Sequence, residues 1–132
     1  MNKEELIDMA KEARKNAYAP YSKFKVGAAL LTKSGKVFTG CNVENSSFGA
    51  SMCAERVAVF KAVSEGEREF KAIAVVTDTD DPAMPCGMCR QVLSEFSMDI
   101  KVYAANLDGK VKTTTLRELL PYAFTKEDLN DK

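Results

Sequence analysis

Residues 70–105 read FKAIAVVTDTDDPAMPCGMCRQVLSEFSMDIKVYAA, a pattern that predicts a strand, a loop, a helix and a second strand. Phe70–Thr77 is a continuous apolar run, typical of a strand that is covered on both faces. Pro85 suits the start of the helix, and the second strand is predicted over 100–105. Because strand–helix–strand connections are right-handed and place their strands in parallel, this stretch predicts an α/β fold.

The flanking segments extend the sheet and its helical layers. The elements predicted before residue 70 are a helix over 3–17, antiparallel strands over 24–31 and 37–43 joined by a turn, and a helix over 52–63 capped by Ser51. After residue 105 we expect a turn, a further short strand, and a helix that a capping box of Thr115 and Glu118 opens and Pro121 ends. The expected architecture is a three-layer α/β/α domain spanning residues 1–132, with a mixed β-sheet of about five strands.

Composition narrows the classes of function. The chain has 132 residues, of which 45% are hydrophobic and 29% charged, as in ordinary globular proteins. Nineteen basic residues balance nineteen acidic ones, which argues against nucleic acid as the main ligand. The N-terminal residues lack the pattern of a secretory signal, and no apolar stretch approaches membrane-spanning length. We therefore expect a cytoplasmic protein without a membrane partner.

Two short stretches contain the residues best suited to chemistry, Cys53-Ala54-Glu55 and Pro85-Cys86-Gly87-Met88-Cys89. The chain contains no histidine, so a metal must bind to sulfur or carboxylate. Three cysteines beside a carboxylate suit a catalytic zinc site, which needs three protein ligands, an open position for water and a proton carrier. Glu55 is the candidate proton carrier. Cys86 and Cys89 lie one helical turn apart, near a helix N-terminus that stabilises negative charge.

The cysteines alone leave other interpretations open. Cys-x-x-Cys is also the pattern of a thiol–disulfide redox pair, and the same cysteines suit a non-catalytic module stabilised by zinc. A structural zinc site normally has four protein ligands. The remaining cysteine, Cys41, lies on a predicted strand and is expected to be a small core residue. Glu55 considered alone is also typical of an exposed acid in the first turn of a helix.

Three motifs taken together resemble a known family: Asn42-Val43-Glu44-Asn45, Cys53-Ala54-Glu55-Arg56 and Pro85-Cys86-Gly87-Met88-Cys89-Arg90-Gln91. They resemble the short zinc-dependent cytidine deaminases of pyrimidine salvage, especially the homotetrameric bacterial type. The resemblance implies hydrolysis of cytidine and 2′-deoxycytidine to uridine and 2′-deoxyuridine, with release of ammonia. It also implies one Zn²⁺ per chain, held by Cys53, Cys86 and Cys89, with Glu55 moving the protons.

The resemblance further implies which residues bind the substrate. Asn42 and Glu44 would hydrogen-bond the ribose 3′-hydroxyl, since an amide and a carboxylate together supply a donor and acceptors. Phe24 would pack on the base, although periodicity alone makes it a core strand residue. The backbone N–H of Ala54 would hold the pyrimidine O2. Without the cysteines, the Asn-Val-Glu-Asn stretch would be typical of a turn.

Two more residues are implied near the site. Zinc with three thiolates carries a net negative charge and is a weaker Lewis acid, so a positive group is expected nearby. Arg56 is the candidate donor to the thiolates, the alternative being a solvated helix arginine. Phe124 corresponds to an aromatic residue that reaches the active site of a neighbouring subunit. Phe48 stands where many relatives have tyrosine, so any contact through that hydroxyl is lost.

Besides the zinc-stabilised module, three other functions compete with this interpretation. A deaminase of a modified cytosine nucleoside such as blasticidin S would share the zinc motif, but Glu44 in an intact Asn-Val-Glu-Asn favours a simple nucleoside. An enzyme acting on RNA or DNA would need a polymer channel and a basic surface. A thiol–disulfide oxidoreductase would bind no metal. The expected partners are therefore a small-molecule nucleoside and other copies of the chain, in a homotetramer.

Overall fold

A computed structural model describes residues 1–130 of the protein. Its strands are β1 (Val26–Thr32), β2 (Val37–Cys41), β3 (Phe70–Thr77), β4 (Lys101–Asn106) and β5 (Val111–Thr115). Its α-helices are α1 (Lys3–Arg14), α2 (Ala54–Ser64), α3 (Gly87–Ser94), α4 (Leu116–Leu119) and α5 (Lys126–Asn130), and a 3₁₀ turn lies at Phe48–Ala50. Within residues 1–130, no helix is long and apolar enough to cross a membrane.

The five strands form one mixed sheet in the order β2-β1-β3-β4-β5. The central strand β3 pairs antiparallel with β1 and parallel with β4, as expected for two strands joined through a crossover helix. β2 and β5 form the antiparallel edges. The predicted fold class, a mixed α/β sheet of about five strands, is confirmed.

Alternating side chains of the central strands build a core on each face of the sheet. Ile73 and Val75 of β3 pack toward α2, α3 and α4, in a cluster that includes Val59, Leu93 and Leu116. Ala72, Ala74 and Val76 point the other way and pack against Leu6 and Ala10 of α1. Because side chains alternate between the two faces of a strand, β3 contributes to both cores, and the predicted three layers follow.

Several element boundaries differ from those predicted. α1 ends at Arg14 rather than residue 17, and Asn2 and Glu5 form a capping box at its start. β1 begins at Val26 rather than residue 24. The prediction that Ser51 caps the next helix is wrong: its hydroxyl accepts a hydrogen bond from the Asn45 N–H, at 3.1 Å. α2 therefore begins two residues later, at Ala54.

The helix boundaries in the second half differ in the same way. Cys86 is the N-cap of α3, so this helix begins at Gly87 rather than at Pro85. Thr115 caps α4 by accepting from the Glu118 N–H, at 3.3 Å, as predicted for the capping side chain. α5 was not predicted, because its five residues are too few to show a helical period.

Candidate active site

The sulfurs of Cys53, Cys86 and Cys89 lie together at the ends of two helices. Cys53 is the N-cap of α2, Cys86 is the N-cap of α3, and Cys89 lies in the first turn of α3. The Sγ atoms of Cys53 and Cys86 are 3.8 Å apart, and those of Cys86 and Cys89 are 3.5 Å apart. All three sulfurs lie within 4.8 Å of one another. Two chain segments 33 residues apart therefore form one thiol cluster.

The geometry of this cluster fits zinc. Tetrahedral zinc with Zn–S bonds of about 2.3 Å requires sulfurs that are roughly 3.8 Å apart, close to the spacings found here. Cys41 is half-buried on β2 and lies outside the cluster. Zinc held by these three sulfurs would therefore keep a fourth position open, as in catalytic rather than structural sites.

Neighbouring groups favour a thiolate at Cys53. The adjacent Cys89 thiol and the Arg56 guanidinium both stabilise negative charge on this sulfur and lower the pKa of Cys53 to about 5. The same interaction raises the pKa of Cys89, because the Cys89 thiol keeps its proton while it faces the Cys53 thiolate. The cluster is thus prepared for a cation, which would favour the thiolate form of every ligand.

Glu55 is a buried acid, unlike the exposed acid that a first helical turn usually contains. It is 5% exposed and lies in α2, two residues after Cys53. Burial is the main cause that raises the pKa of Glu55 to about 7, and the negative charge on Cys53 contributes to this rise. A carboxyl group with this pKa can accept and donate a proton near neutral pH.

The raised pKa of Glu55 predicts a pH-dependent cost to stability in the zinc-free protein. The pKa of Glu55 is about 7 in the folded chain, whereas the ordinary pKa of a glutamate is 4.5. The folded chain therefore keeps this proton at pH values at which the unfolded chain has lost it, and the free energy of unfolding falls as the pH rises from 4.5 to 7. Glu55→Gln should therefore stabilise the protein above pH 7 by up to about 3 kcal/mol. Urea unfolding in EDTA should show this gain vanish below pH 4.5. A gain that is independent of pH would contradict the raised pKa.

Arg56 contacts the sulfurs rather than solvent alone. Its Nη2 donates to Cys53 Sγ at 3.4 Å, and its contacts with Cys53 and Cys89 raise the pKa of the guanidinium. The Nε atom is buried and has no hydrogen-bond partner among residues 1–130. A buried donor without a partner costs free energy. The attraction between the guanidinium and the negative charge on the sulfurs offsets this cost and holds the side chain in place.

A cavity of about 460 Å³ opens beside the thiol cluster. The residues of the three motifs that line it are Asn42, Glu44, Cys53, Ala54, Glu55, Arg56, Cys86 and Met88. Phe24 also lines it, whereas Cys89 is buried and, like Phe124, is not part of its wall. The size of the cavity suits a small organic ligand.

Asn42 and Glu44 organise the loop that precedes β1. The Asn42 amide accepts from the Val26 N–H at 2.9 Å and donates to the Phe24 carbonyl at 2.7 Å. The Glu44 carboxylate accepts from two backbone N–H groups and from the Ser22 hydroxyl, and the Ser22 contacts lower its pKa. Both side chains therefore stabilise the loop, as the turn-like sequence of this stretch indicates. One amide hydrogen of Asn42 and further lone pairs of the Glu44 carboxylate remain free to bind a ligand.

The periodicity of the sequence was misleading for Phe24. The residue lies before β1 instead of inside it, is 42% exposed, and lines the cavity. Its carbonyl accepts from Asn42, so the chain turns before it enters the sheet. Phe24 thus offers an aromatic ring to the cavity rather than to the core.

Some residues of the cavity wall were missed. Val75 and Thr77 lie toward the carboxyl end of β3, and both line the cavity. The signal was available, because ligands in α/β proteins bind at the carboxyl ends of parallel strands. Phe48, at the rim, is 76% exposed and packs edge-to-face on Tyr21, with ring centroids 6.0 Å apart.

Gly40 sets how closely α2 approaches the sheet. A Cβ at Gly40 would lie 2.3 Å from the Ala54 carbonyl oxygen, whereas a Cβ at Gly27 would lie 2.0 Å from the Ala10 carbonyl oxygen in α1. Both Gly→Ala variants should lower the free energy of unfolding by about 1–3 kcal/mol, or more.

Only Gly40→Ala should also displace the start of α2 and weaken zinc binding, since Gly27 packs on the opposite helical layer. Urea unfolding and zinc per chain would check both variants. Equal zinc content in the two variants would contradict this role of Gly40.

Comparison with known proteins adds independent information. Residues 1–105 match the family model described as the cytidine and deoxycytidylate deaminase zinc-binding region. A cytidine deaminase of Sporosarcina psychrophila is 56% identical over 131 residues, which cover 98% of this chain and 96% of that protein. A cytidine deaminase of Halalkalibacterium halodurans is 56% identical over 132 residues, covering 99% and 100%. The crystal structure of cytidine deaminase from Burkholderia pseudomallei is 54% identical, with a TM-score of 0.92, covering 94% of this chain and 100% of that one.

Proposed function

The chain belongs to the zinc-dependent cytidine deaminase family, and we propose that it hydrolyses cytidine and 2′-deoxycytidine to uridine and 2′-deoxyuridine. The observation that carries this proposal is the buried carboxyl of Glu55, which lines the same cavity as Cys53 and Cys86 of the thiol cluster. In the reaction, water adds its oxygen to C4 of the cytosine ring, the bond from C4 to the amino nitrogen breaks, and ammonia leaves.

Glu55 is the proton carrier of this mechanism. Zinc held by Cys53, Cys86 and Cys89 would supply a Lewis acid that lowers the pKa of the attacking water. Glu55 accepts one proton of that water and delivers it to N3 of the ring. It then takes the proton that remains on the oxygen added at C4 and passes it to the departing amino group, which leaves as ammonia. Its pKa near 7, raised by burial, supports a residue that alternates between both protonation states.

Four groups around the cavity are proposed to orient the nucleoside. Phe24 packs on the base, and the Ala54 N–H binds the pyrimidine O2. This N–H belongs to the first turn of α2, where backbone donors lack intrahelical acceptors. Asn42 and Glu44 bind the ribose 3′-hydroxyl with the hydrogen-bonding capacity that the loop leaves free.

The charges in the cavity favour a nucleoside over a nucleotide. Among the residues that the structure describes, Arg56 is the one cation in the cavity wall, and it faces the sulfurs. Glu44 adds a negative charge to the same wall. A phosphate would therefore meet repulsion without a compensating cation.

The values of kcat/KM for cytidine, 2′-deoxycytidine and deoxycytidylate test this choice. Both nucleosides should exceed the nucleotide by at least about 100-fold, since unpaired like charges cost several kcal/mol. A preference for deoxycytidylate would overturn the assignment to nucleosides. A blasticidin-type substrate is not favoured, because the relatives at 56% identity are named cytidine deaminases.

The wider setting is also a proposal. One cytidine deaminase domain spans residues 1–132, acts in the cytoplasm and forms a homotetramer in which Phe124 enters a neighbouring active site. Phe124 is 60% exposed and Tyr122 is fully exposed, which supports burial of this segment in a subunit interface. The balanced charge of the chain supports a partner other than nucleic acid.

Arg56 is proposed to offset the negative charge of the zinc–thiolate centre. Arg56→Gln removes this charge and should make the attacking water harder to ionise, so the pH at half-maximal kcat should rise. The pH profile of kcat, with zinc content measured in parallel, checks this expectation. A profile identical to that of the wild type, with zinc retained, would sink the idea.

A further inference from the structure

Two side chains of α3 contact the C-terminal segment, defined here as residues 119–124. Arg90 Nη1 donates to the Leu119 carbonyl at 3.0 Å, and Gln91 Nε2 donates to the Phe124 carbonyl at 2.8 Å. The same helix, with its N-cap, supplies two of the three clustered sulfurs. One short helix therefore contacts both the thiol cluster and the end of the chain that bears Phe124.

Arg90 also contacts the backbone of the loop that leads into Cys86. Its Nε donates to the Pro85 carbonyl at 2.7 Å, and Pro85 is a buried residue that immediately precedes Cys86. The guanidinium thus joins the residue before a sulfur ligand to the end of α4. The two acceptor carbonyls are 34 residues apart in sequence, and the Arg90 side chain donates to both.

The chemistry of this contact requires an arginine. Carbonyls in the last turn of a helix lack intrahelical donors, and Leu119 is the last residue of α4. A planar guanidinium presents several N–H groups in a fixed fork, so Nε and Nη1 reach two separate carbonyls in one rotamer. A lysine offers a single ammonium on a flexible stem and cannot fix both carbonyls at the same spacing.

We propose that Arg90 is a positioning residue for the metal centre. Its side chain joins the loop at Cys86 to the end of α4, so zinc retention depends on the path of the C-terminal segment. The link to a neighbouring subunit rests on the proposed function, in which Phe124 enters that subunit's active site. In that arrangement one helix, through Arg90 and Gln91, contacts both the loop before Cys86 in its own active site and the segment whose Phe124 lines the active site of the neighbouring subunit.

Zinc release from the holoenzyme into excess chelator tests this proposal, together with amide hydrogen exchange of residues 84–88 and 119–124. Arg90→Gln should release zinc about tenfold faster, at the lower end of the effect of groups that orient metal ligands. Exchange should rise in those two segments and not elsewhere. Arg90→Lys, which keeps the charge and can reach one carbonyl, should release zinc at an intermediate rate.

Arg117→Gln is the matched control. Arg117 lies on α4, is exposed, and pairs with Asp99 at 2.9 Å. Its loss therefore removes the same charge near the same segment and leaves the two hydrogen bonds of Arg90 in place. This variant should behave like the wild type in both measurements.

Release of zinc from Arg90→Gln at the control rate would overturn the proposal, and so would an exchange increase spread over the whole chain. If Arg90→Gln does not fold, a wild-type release rate in Arg90→Lys has the same consequence. Neither readout uses a nucleoside, so failure of the proposed function would appear separately, as absence of wild-type turnover.

Discussion

Replacing Glu55 with glutamine is expected to lower kcat by about 10²–10⁴-fold while the protein still binds one zinc per chain. Glutamine matches the size of glutamate but cannot carry a proton between water, ring nitrogen and leaving group. The sulfurs come from three other residues, so the metal should stay. Steady-state turnover of cytidine and zinc per chain would measure both effects.

Glu65→Gln provides the control for this experiment. Glu65 lies at the other end of α2, is exposed, and does not line the cavity, so its change should leave kcat within about twofold, as for surface substitutions away from special features. If Glu55→Gln retained wild-type turnover, the proton-carrier role would be wrong. The fold and the zinc site would then fit a non-catalytic zinc-stabilised module better.

Replacing Cys86 with alanine should abolish both stoichiometric zinc and turnover, with activity down by at least about 10³-fold, because a metal Lewis acid contributes several kcal/mol to such reactions. Cys86 is an exposed N-cap whose side chain makes no cap hydrogen bond, so the fold should tolerate alanine. Zinc analysis, turnover and circular dichroism would separate loss of the metal from loss of the fold.

Cys41→Ala is the matched cysteine control. Cys41 is half-buried on β2 and outside the thiol cluster, so this variant should keep its zinc and its turnover. Loss of zinc in Cys41→Ala, or full zinc in Cys86→Ala, would contradict the assigned ligand set. A thiol–disulfide role predicts yet another pattern, with no zinc in the wild type.

Much of the fold was predictable because its signals are local. β3 was predicted at its observed bounds, since a long apolar run between charged residues has few alternatives to a buried strand. The thiol cluster was equally accessible, because two cysteines one helical turn apart point the same way. The family prediction is confirmed by the matches over nearly the whole chain.

The features that the sequence concealed depend on contacts between distant residues. The local sequence predicts a strand at Phe24, but the Asn42 amide, 18 positions away, donates to the Phe24 carbonyl and keeps the residue outside β1. The burial of Glu55 depends on how α2 packs against the sheet, and an exposed acid in the first turn has the same local sequence. The contact of Arg90 with Leu119 spans 29 residues and leaves no periodic signal. Such pairings follow from the folded topology rather than from local propensity.

The most direct test of the central claim is to incubate the purified protein with cytidine, follow uridine formation, and measure zinc per chain in the same preparation. The account predicts one zinc per chain and uridine formation that disappears when the zinc is removed and returns when it is restored. Stoichiometric zinc without turnover of cytidine or 2′-deoxycytidine would contradict it.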